Sequence, residues 1–378
     1  MNGPPDLQAL REALERVDAE LLELLRRRMT LAERVATAKL DAAWPFRDAS
    51  REDRLLVRLR QMAAEKGLDA HEVERLFRVV LDMSVARQEA HVRALEDAPL
   101  RVAYQGAEGS YSHLAAQGHF AGQPGGVLLE GHETFRAAAE AVRSGAADLA
   151  LLPIENTTAG SINETYDLLS EGGLVITGEV VREVEHCLLA LPGATVEGLV
   201  AALSHPQALR QCEGFFREHP AIRAQAEYDT AGAARKVRDA GDRSLAAIAS
   251  ASAAATYGLE ILRRGIQTLE GNATRFVEIA PRPVPVPPGA AVKTSLQLEL
   301  ADRPGALGEV LSEFARRGLN LTKLESRPIP GKPFRYRFYL DVEGHASSEA
   351  FRAALEAAAP HAAELILLGT YAAAKPLA

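Results

Sequence analysis

From Asp6 to Ala43 the chain contains neither proline nor glycine, and Leu7, Leu10, Leu14, Val17, Leu21, Leu24 and Leu25 recur at helical spacing. Such a run dictates a single helix of about 35 residues, ended by Pro45. A helix of that length cannot bury its whole apolar stripe inside a compact unit of some 95 residues, so a partner chain is expected along it. A second helix is expected from near Asp48 to near Gly67, and a third from His71 to about Leu95 behind an Asp69 cap. Residues 1–97 therefore read as an all-α domain.

Helical rotation sorts the polar residues of this domain. Arg28 and Lys39 lie about 20° apart around the first helix and share a face, whereas Arg11 points about 100° away from Arg28. Arg11 is thus badly placed for a site on that face but suited to a copy of the site in a second subunit. Asp48, Arg51 and Glu52 share one face of the second helix, and Ser84 and Gln88 one face of the third. Together they describe either a solvated, salt-bridged surface or a pocket in which two or three cations grip a dicarboxylate while Lys39 and Gln88 donate to an ether oxygen. The segments LREALERVDAELLELLRRRMTLAERVATAK, PFRDASRE and VERLFRVVLDMSVARQ resemble the all-helical chorismate mutase family. The resemblance implies an intertwined dimer with Arg11 reaching the partner's site, and a pocket of Arg28, Lys39, Asp48, Arg51, Glu52, Ser84 and Gln88. It also implies a pericyclic rearrangement of chorismate to prephenate that needs neither nucleophile nor cofactor.

From Arg101 the pattern changes to alternating strands and helices, which argues an α/β domain over 100–280 with a parallel-rich sheet. Its central stretch is ADLALLPIENTTAGSINETYDLL, Ala147 to Leu169: an apolar run of strand length, then an abrupt polar loop, then a helix start. That junction is an ordinary one in α/β folds, and also the place where open α/β sheets hold ligands. Other helix starts carry hydroxyl or amide side chains at Ser110, Ser112, Ser204 and Gln207. Helix N-termini attract carboxylates, so their convergence on one cleft would select a small polyanion.

Six segments, YQGAEGSYSHLAA, LLPIENTTAGSINETYDLL, EHCLLALPG, SHPQALRQC, AAIASASAAATYGL and GNATRF, occur in the order found in prephenate dehydratases. This resemblance implies two α/β lobes around a cleft, similar to periplasmic binding proteins. Thr274 would be the central catalytic residue, Asn156 and Gln207 would bind or polarise the substrate, and Glu155, Ser110 and Ser204 would surround them. Prephenate loses its ring carboxylate as CO₂ and its ring hydroxyl as water, so a hydrogen must reach the leaving oxygen. Threonine is a weak acid, and Glu155 is the candidate assistant. Arg275 would neutralise a carboxylate. His113, His186 and His205 read as packing or capping groups, with His186 the first exception to consider.

Five prolines between Pro281 and Pro288 mark an extended linker. The order strand–helix–strand–strand–helix–strand follows over 292–372, a ferredoxin-like βαββαβ unit. DRPGALGEVL and LTKLESRP resemble an ACT domain of the phenylalanine-sensing type. The resemblance implies that Gly305, Ala306 and Leu307, with Glu325, Ser326, Arg327 and Pro328, bind phenylalanine between two subunits.

The remaining expectations come from bulk properties. The 378 residues allow two or three domains, and a net charge of -8 with a pI near 5.8 argues against nucleic acid as the main partner. Two cysteines fit a reducing cytoplasm, no His/Cys spacing points to a metal, and no cofactor is expected. The N-terminal stretch lacks a basic-then-apolar signal, and the weakly polar run Leu245–Ile261 is not a membrane span. The three resemblances together imply a bifunctional enzyme taking chorismate through prephenate to phenylpyruvate. L-phenylalanine would be its feedback effector and a dimer or tetramer its assembly. Two rivals stand beside this: an arogenate-preferring dehydratase whose helical domain mainly dimerises, and a non-catalytic, amino-acid-responsive binding protein.

Overall fold

The computed structural model describes residues 7–41, 49–96, 99–123, 125–287, 289–300, 303–329, 331 and 335–374; the side chains of 37–41, 49 and 94–96 are not described. The chain divides into two compact units, one up to Pro99 and one from Leu100.

The first unit is three helices: α1 (Leu7–Asp41), α2 (Ala49–Glu65) and α3 (Ala70–Glu96). Gly67, at φ +72°, supplies the left-handed residue that ends α2, and the Asp69 carboxylate accepts from His71 N and Glu72 N to start α3. The core is small and aliphatic: Ala32, Ala36, Leu56, Val80, Leu81 and Val85. It engages only the second half of α1. In the first half, Leu7, Leu14 and Leu21 are 62%, 64% and 53% exposed within one chain.

The second unit opens with a lobe built from β1 (Leu100–Gln105), α4 (Tyr111–His119), β2 (Val127–His132), α5 (Phe135–Arg143), β3 (Leu149–Asn156), β4 (Gly160–Ser161), α6 (Asn163–Ser170) and β5 (Val175–Glu183). A second lobe follows: β6 (Cys187–Ala190), β7 (Ala201–Ser204), α7 (Pro206–Gln211), α8 (Glu213–Glu218), β8 (Arg223–Ala226), α9 (Thr230–Ala240), β9 (Leu245–Ala249), α10 (Ala251–Tyr257) and β10 (Glu260–Arg263). The chain then returns to the first lobe as β11 (Ala273–Ala280). It re-enters beside the point it left, pairing Ala273 with Glu183, so β11 must run antiparallel between β3 and β5. The expected parallel-rich sheet is therefore mixed at its centre, while β1, β2 and β3 are parallel.

The last segment is β12 (Val292–Leu300), α11 (Ala306–Ala315), β13 (Leu321–Pro328), β14 (Tyr336–Glu343), α12 (Glu349–Ala358) and β15 (Ala362–Ala372), the expected βαββαβ order. Its four strands join the first lobe's sheet through β15 against β5, giving the order β13-β14-β12-β15-β5-β11-β3-β1-β2. The approach is so close at Gly369 that a Cβ would stand 2.1 Å from Ile176 O, which only glycine avoids.

Candidate active sites

The two lobes enclose a cavity of about 510 Å³. Helix starts surround it: Ser110 at α4, Thr134 at α5, Ile162 at α6, His205 at α7 and Asp229 at α9. Of the helix-start side chains expected to converge, Ser110, Ser112 and Gln207 line the cavity and Ser204 does not; the helix starts that do face it direct N-terminal dipoles toward it. Arg210 adds the only Lys or Arg side chain among the described residues of the lining, which also holds the carboxylates Glu133, Glu164 and Asp229. The loop after β1 is fastened across the cleft: Asp229 Oδ2 accepts from Ala107 N at 3.0 Å, Ser250 Oγ donates to Gly109 O at 2.8 Å, and Tyr257 OH donates to Glu108 O at 2.8 Å. At Gly109, φ +83°, an added Cβ would stand 3.1 Å from Ala253 Cα, a tight approach in a backbone conformation that favours glycine.

At the cavity floor β3 and β11 pair Asn156 with Thr274. The two hydrogens of Asn156 Nδ2 serve three acceptors, Asn272 Oδ1 at 2.8 Å and Ala273 O and Thr274 Oγ1 each at 3.0 Å. Asn156 Oδ1 accepts from Thr158 N, Ala159 N and Gln211 Nε2 at 3.0, 2.9 and 3.1 Å. Because Thr274 Oγ1 is occupied as an acceptor, its own hydrogen is the group offered to the cavity. Both residues are nearly buried, at 8% and 7% exposure.

Several expected site residues sit elsewhere. Adjacent strand residues face opposite sides, so Glu155 and Arg275 turn away from the cavity that Asn156 and Thr274 face. Arg275 donates to Glu179 Oε2 and Asp341 Oδ2 at 2.6 Å and to Tyr371 OH at 3.0 Å, while Glu155 pairs with Lys323 at 2.9 Å. They tie the sheet to the C-terminal segment and are not beside the ligand space. Ser204 is fully buried and donates to Ile248 O at 2.5 Å, a bond within the second lobe's sheet. Ser110 lines the cavity and caps α4. Gln207 lines the cavity too, but its carboxamide accepts from Arg210. The glutamine that reaches Asn156 is Gln211, one helical turn on. His186 is also in the lining, between Gln211 and Tyr111. Burial holds His186 below the ordinary histidine pKa and raises Tyr111 well above that of a free phenol.

The helical unit carries a smaller cavity, about 190 Å³, where Arg28, Arg51, Glu52, Ser84 and Gln88 meet. Arg28 donates to Ser84 Oγ. Burial first, and then the neighbouring Arg51, depress the Arg28 pKa. Gln88 is buried and its Oε1 has no hydrogen-bond partner. Arg11 is absent from the lining; seventeen residues of helix place it about 25 Å along α1 from Arg28. The side chain of Lys39 and the whole of Asp48 lie outside the described residues.

In the C-terminal segment, Gly305, Ala306 and Leu307 line an open cavity at the start of α11. Within one chain the second expected segment lies apart from it, and the expected site was one shared between two subunits. Glu325 accepts from Ser161 Oγ at 3.0 Å, and Arg327 donates to Asn163 O and Asp167 Oδ1 at 2.6 and 3.0 Å, both toward the first lobe. Ser326 and Pro328 point the other way and are exposed. Among the described residues no cluster of His, Cys, Asp or Glu is placed to hold a metal, and no helix is long and apolar enough to cross a membrane.

Two separate pockets, one gathering arginines and the other ringed by helix starts around a buried hydroxyl, place the chain in the class of multidomain enzymes acting on small polar substrates. Residues 10–89 match chorismate mutase type II, residues 102–284 prephenate dehydratase, and residues 294–360 the ACT domain. The bifunctional chorismate mutase/prephenate dehydratase of Enterobacter agglomerans is 36% identical over 375 residues, 98% of this chain and 97% of that protein. Two solved structures are similar from a single unit's worth of chain. One is described as GqqA, a novel type of quorum quenching acylase: 38% identical, TM-score 0.64, 72% of this chain and 98% of that one. The other is the prephenate dehydratase of Arthrobacter aurescens in complex with L-Phe: 31% identical, TM-score 0.64, 72% of this chain and 89% of that one. The chain belongs to the bifunctional chorismate mutase/prephenate dehydratase family, enzymes of phenylalanine biosynthesis.

Proposed function

We propose that Thr274 is the hydrogen donor to the departing ring hydroxyl of prephenate, and that Asn156 and Gln211 hold it in place. The carrying observation is the Asn156 Nδ2 to Thr274 Oγ1 bond of 3.0 Å at the cavity floor. As the bond to the ring carboxylate breaks, its electron pair enters the ring and expels the hydroxyl. That oxygen takes up one proton and leaves as water, and CO₂ and phenylpyruvate remain. Helix N-termini and Arg210 hold the carboxylates in this reading. The acylase chemistry named for GqqA would call for an activated nucleophile; among the described residues no base is hydrogen-bonded to Thr274, so the dehydratase reading is favoured.

In the helical unit, Arg28 and Arg51 would grip the carboxylates of chorismate, and Gln88, with Lys39, would stabilise the ether oxygen. Arg11 and the uncovered leucines of α1 support a homodimer, in which Arg11 completes the partner's pocket. The C-terminal unit, residues 292–372, would bind L-phenylalanine at the 305–307 turn and inhibit the dehydratase. Supply of chorismate to the pure protein should give prephenate and then phenylpyruvate, with the second step slowed by L-phenylalanine. Turnover unaffected by saturating L-phenylalanine would remove the regulatory part, and faster turnover of arogenate than of prephenate would reassign the substrate.

A further inference from the structure

His186 sits on the first crossover between the lobes, 2% exposed, and the dehydration scheme gives it no step. Its surroundings fix where its hydrogen lies. Backbone N–H groups of Thr158 and Ala159 both donate to Asn156 Oδ1, which settles the orientation of that carboxamide. Gln211 must then present Nε2 to Asn156 Oδ1 and to Thr158 Oγ1, at 3.1 and 2.5 Å. Its Oε1 is left facing His186 Nε2 at 2.7 Å, so that ring nitrogen carries the hydrogen. Burial keeps the ring neutral, so Nδ1 is bare; it stands 2.9 Å from the Tyr111 hydroxyl, whose single hydrogen is shared between Nδ1 and Glu185 O at 2.6 Å.

From this chain of contacts we infer that His186, backed by Tyr111, is a positioning residue of the dehydratase. As an Nε2–H donor it locks the Gln211 carboxamide, and Gln211 in turn holds Asn156 and Thr158 in the arrangement that offers the Thr274 hydrogen to the cavity. The role is exerted through Gln211 and involves no proton transfer. It rests on the assignment of Thr274 made under Proposed function. A group at the crossover thereby makes the catalytic geometry depend on the two lobes being held together, because Gln211 belongs to the second lobe and Asn156 to the first.

The test uses the full chain with His186→Ala, His186→Gln, Gln211→Ala, the His186→Ala/Gln211→Ala double variant and Tyr111→Phe. His186→Ala is expected to lower kcat on prephenate roughly tenfold to a hundredfold, with KM changed less than about threefold, since misplacement of a reacting group acts on kcat. Chorismate mutase turnover in the same samples should stay at the wild-type level. His186→Gln, which restores an Nε2–H donor, should recover most of the loss and leave the pH profile of kcat unchanged in shape. The double variant should be no slower than Gln211→Ala alone. Losses that multiply in the double variant overturn the inference, as does disappearance of one limb of the pH profile, which would make His186 an acid or base. Wild-type kcat in His186→Ala with only a lowered melting temperature also overturns it. If His186→Ala does not fold, Tyr111→Phe serves: a several-fold loss of kcat supports the inference and an unchanged kcat opposes it. Near-normal turnover in Thr274→Ala would sink the Thr274 assignment alone, because the His186–Gln211 coupling is still read from the double variant.

Discussion

Thr274 and Asn156 do together what neither does alone: the carboxamide occupies the hydroxyl's lone pair, and the hydroxyl's hydrogen is left for a ligand. Three histidines near this site, His113, His186 and His205, have pKa values lowered chiefly by burial. The unfolded chain takes up protons at these positions near pH ~6.5, and the folded chain does not. Stability of the second unit should therefore fall as pH drops through that value and level off below the folded-state pKa values. Thermal unfolding followed from pH 8 to pH 5 checks this, and His186→Gln should flatten the dependence. In the other unit, Gln88→Ala is expected to reduce chorismate mutase kcat/KM by roughly a hundredfold with prephenate turnover unchanged, measured on each substrate separately. Not every residue of these sites was legible in the sequence. Glu155 and Arg275 are neighbours of Asn156 and Thr274 on strands, and strand alternation excludes both members of each pair from one cavity. That rule was available from the sequence and outweighs membership in a motif. Gln207 and Gln211 share a helix face, and only the packing of α7 against the 156–158 loop selects Gln211.

At the scale of elements, β3 and β11 serve two regions at once. Their cavity faces carry Asn156 and Thr274, and their opposite faces carry Glu155 and Arg275 into a polar layer with Glu179, Lys293, Asp341 and Lys323. Side chains of Arg275, Glu179 and Asp341 are 11%, 2% and 6% exposed. Glu179 keeps Lys293 at 2.8 Å, but the buried Asp341 carboxylate loses the cation beside it, so Arg275→Met should destabilise the second unit by roughly 3 kcal/mol, as read by chemical denaturation. A second prediction belongs to α1. Leu14→Asp places a charge in the apolar stripe that one chain leaves uncovered, and it should weaken self-association in sedimentation velocity; no change in mass would show that α1 is not the dimer contact. The helix itself was readable from its uninterrupted pattern, and so was the order of the C-terminal unit. The reversal of β11 was not, because strand direction is set by where the chain re-enters a sheet, which local pattern does not record.

Across the whole molecule, one chain carries two chemically distinct pockets in two compact units. The helical pocket gathers cations around a small volume. The larger cleft gathers helix N-termini around a hydroxyl aimed inward. Ordered motifs revealed this division, since each spans a unit able to form its own core. The division also makes the central claim separable in one protein: disabling the cleft must leave the helical pocket at work. The decisive measurement is a time course of full-length Thr274→Ala supplied with chorismate. Chorismate should disappear at the wild-type rate while prephenate accumulates and phenylpyruvate forms at least ~100-fold more slowly. Phenylpyruvate released at the wild-type rate would contradict the account.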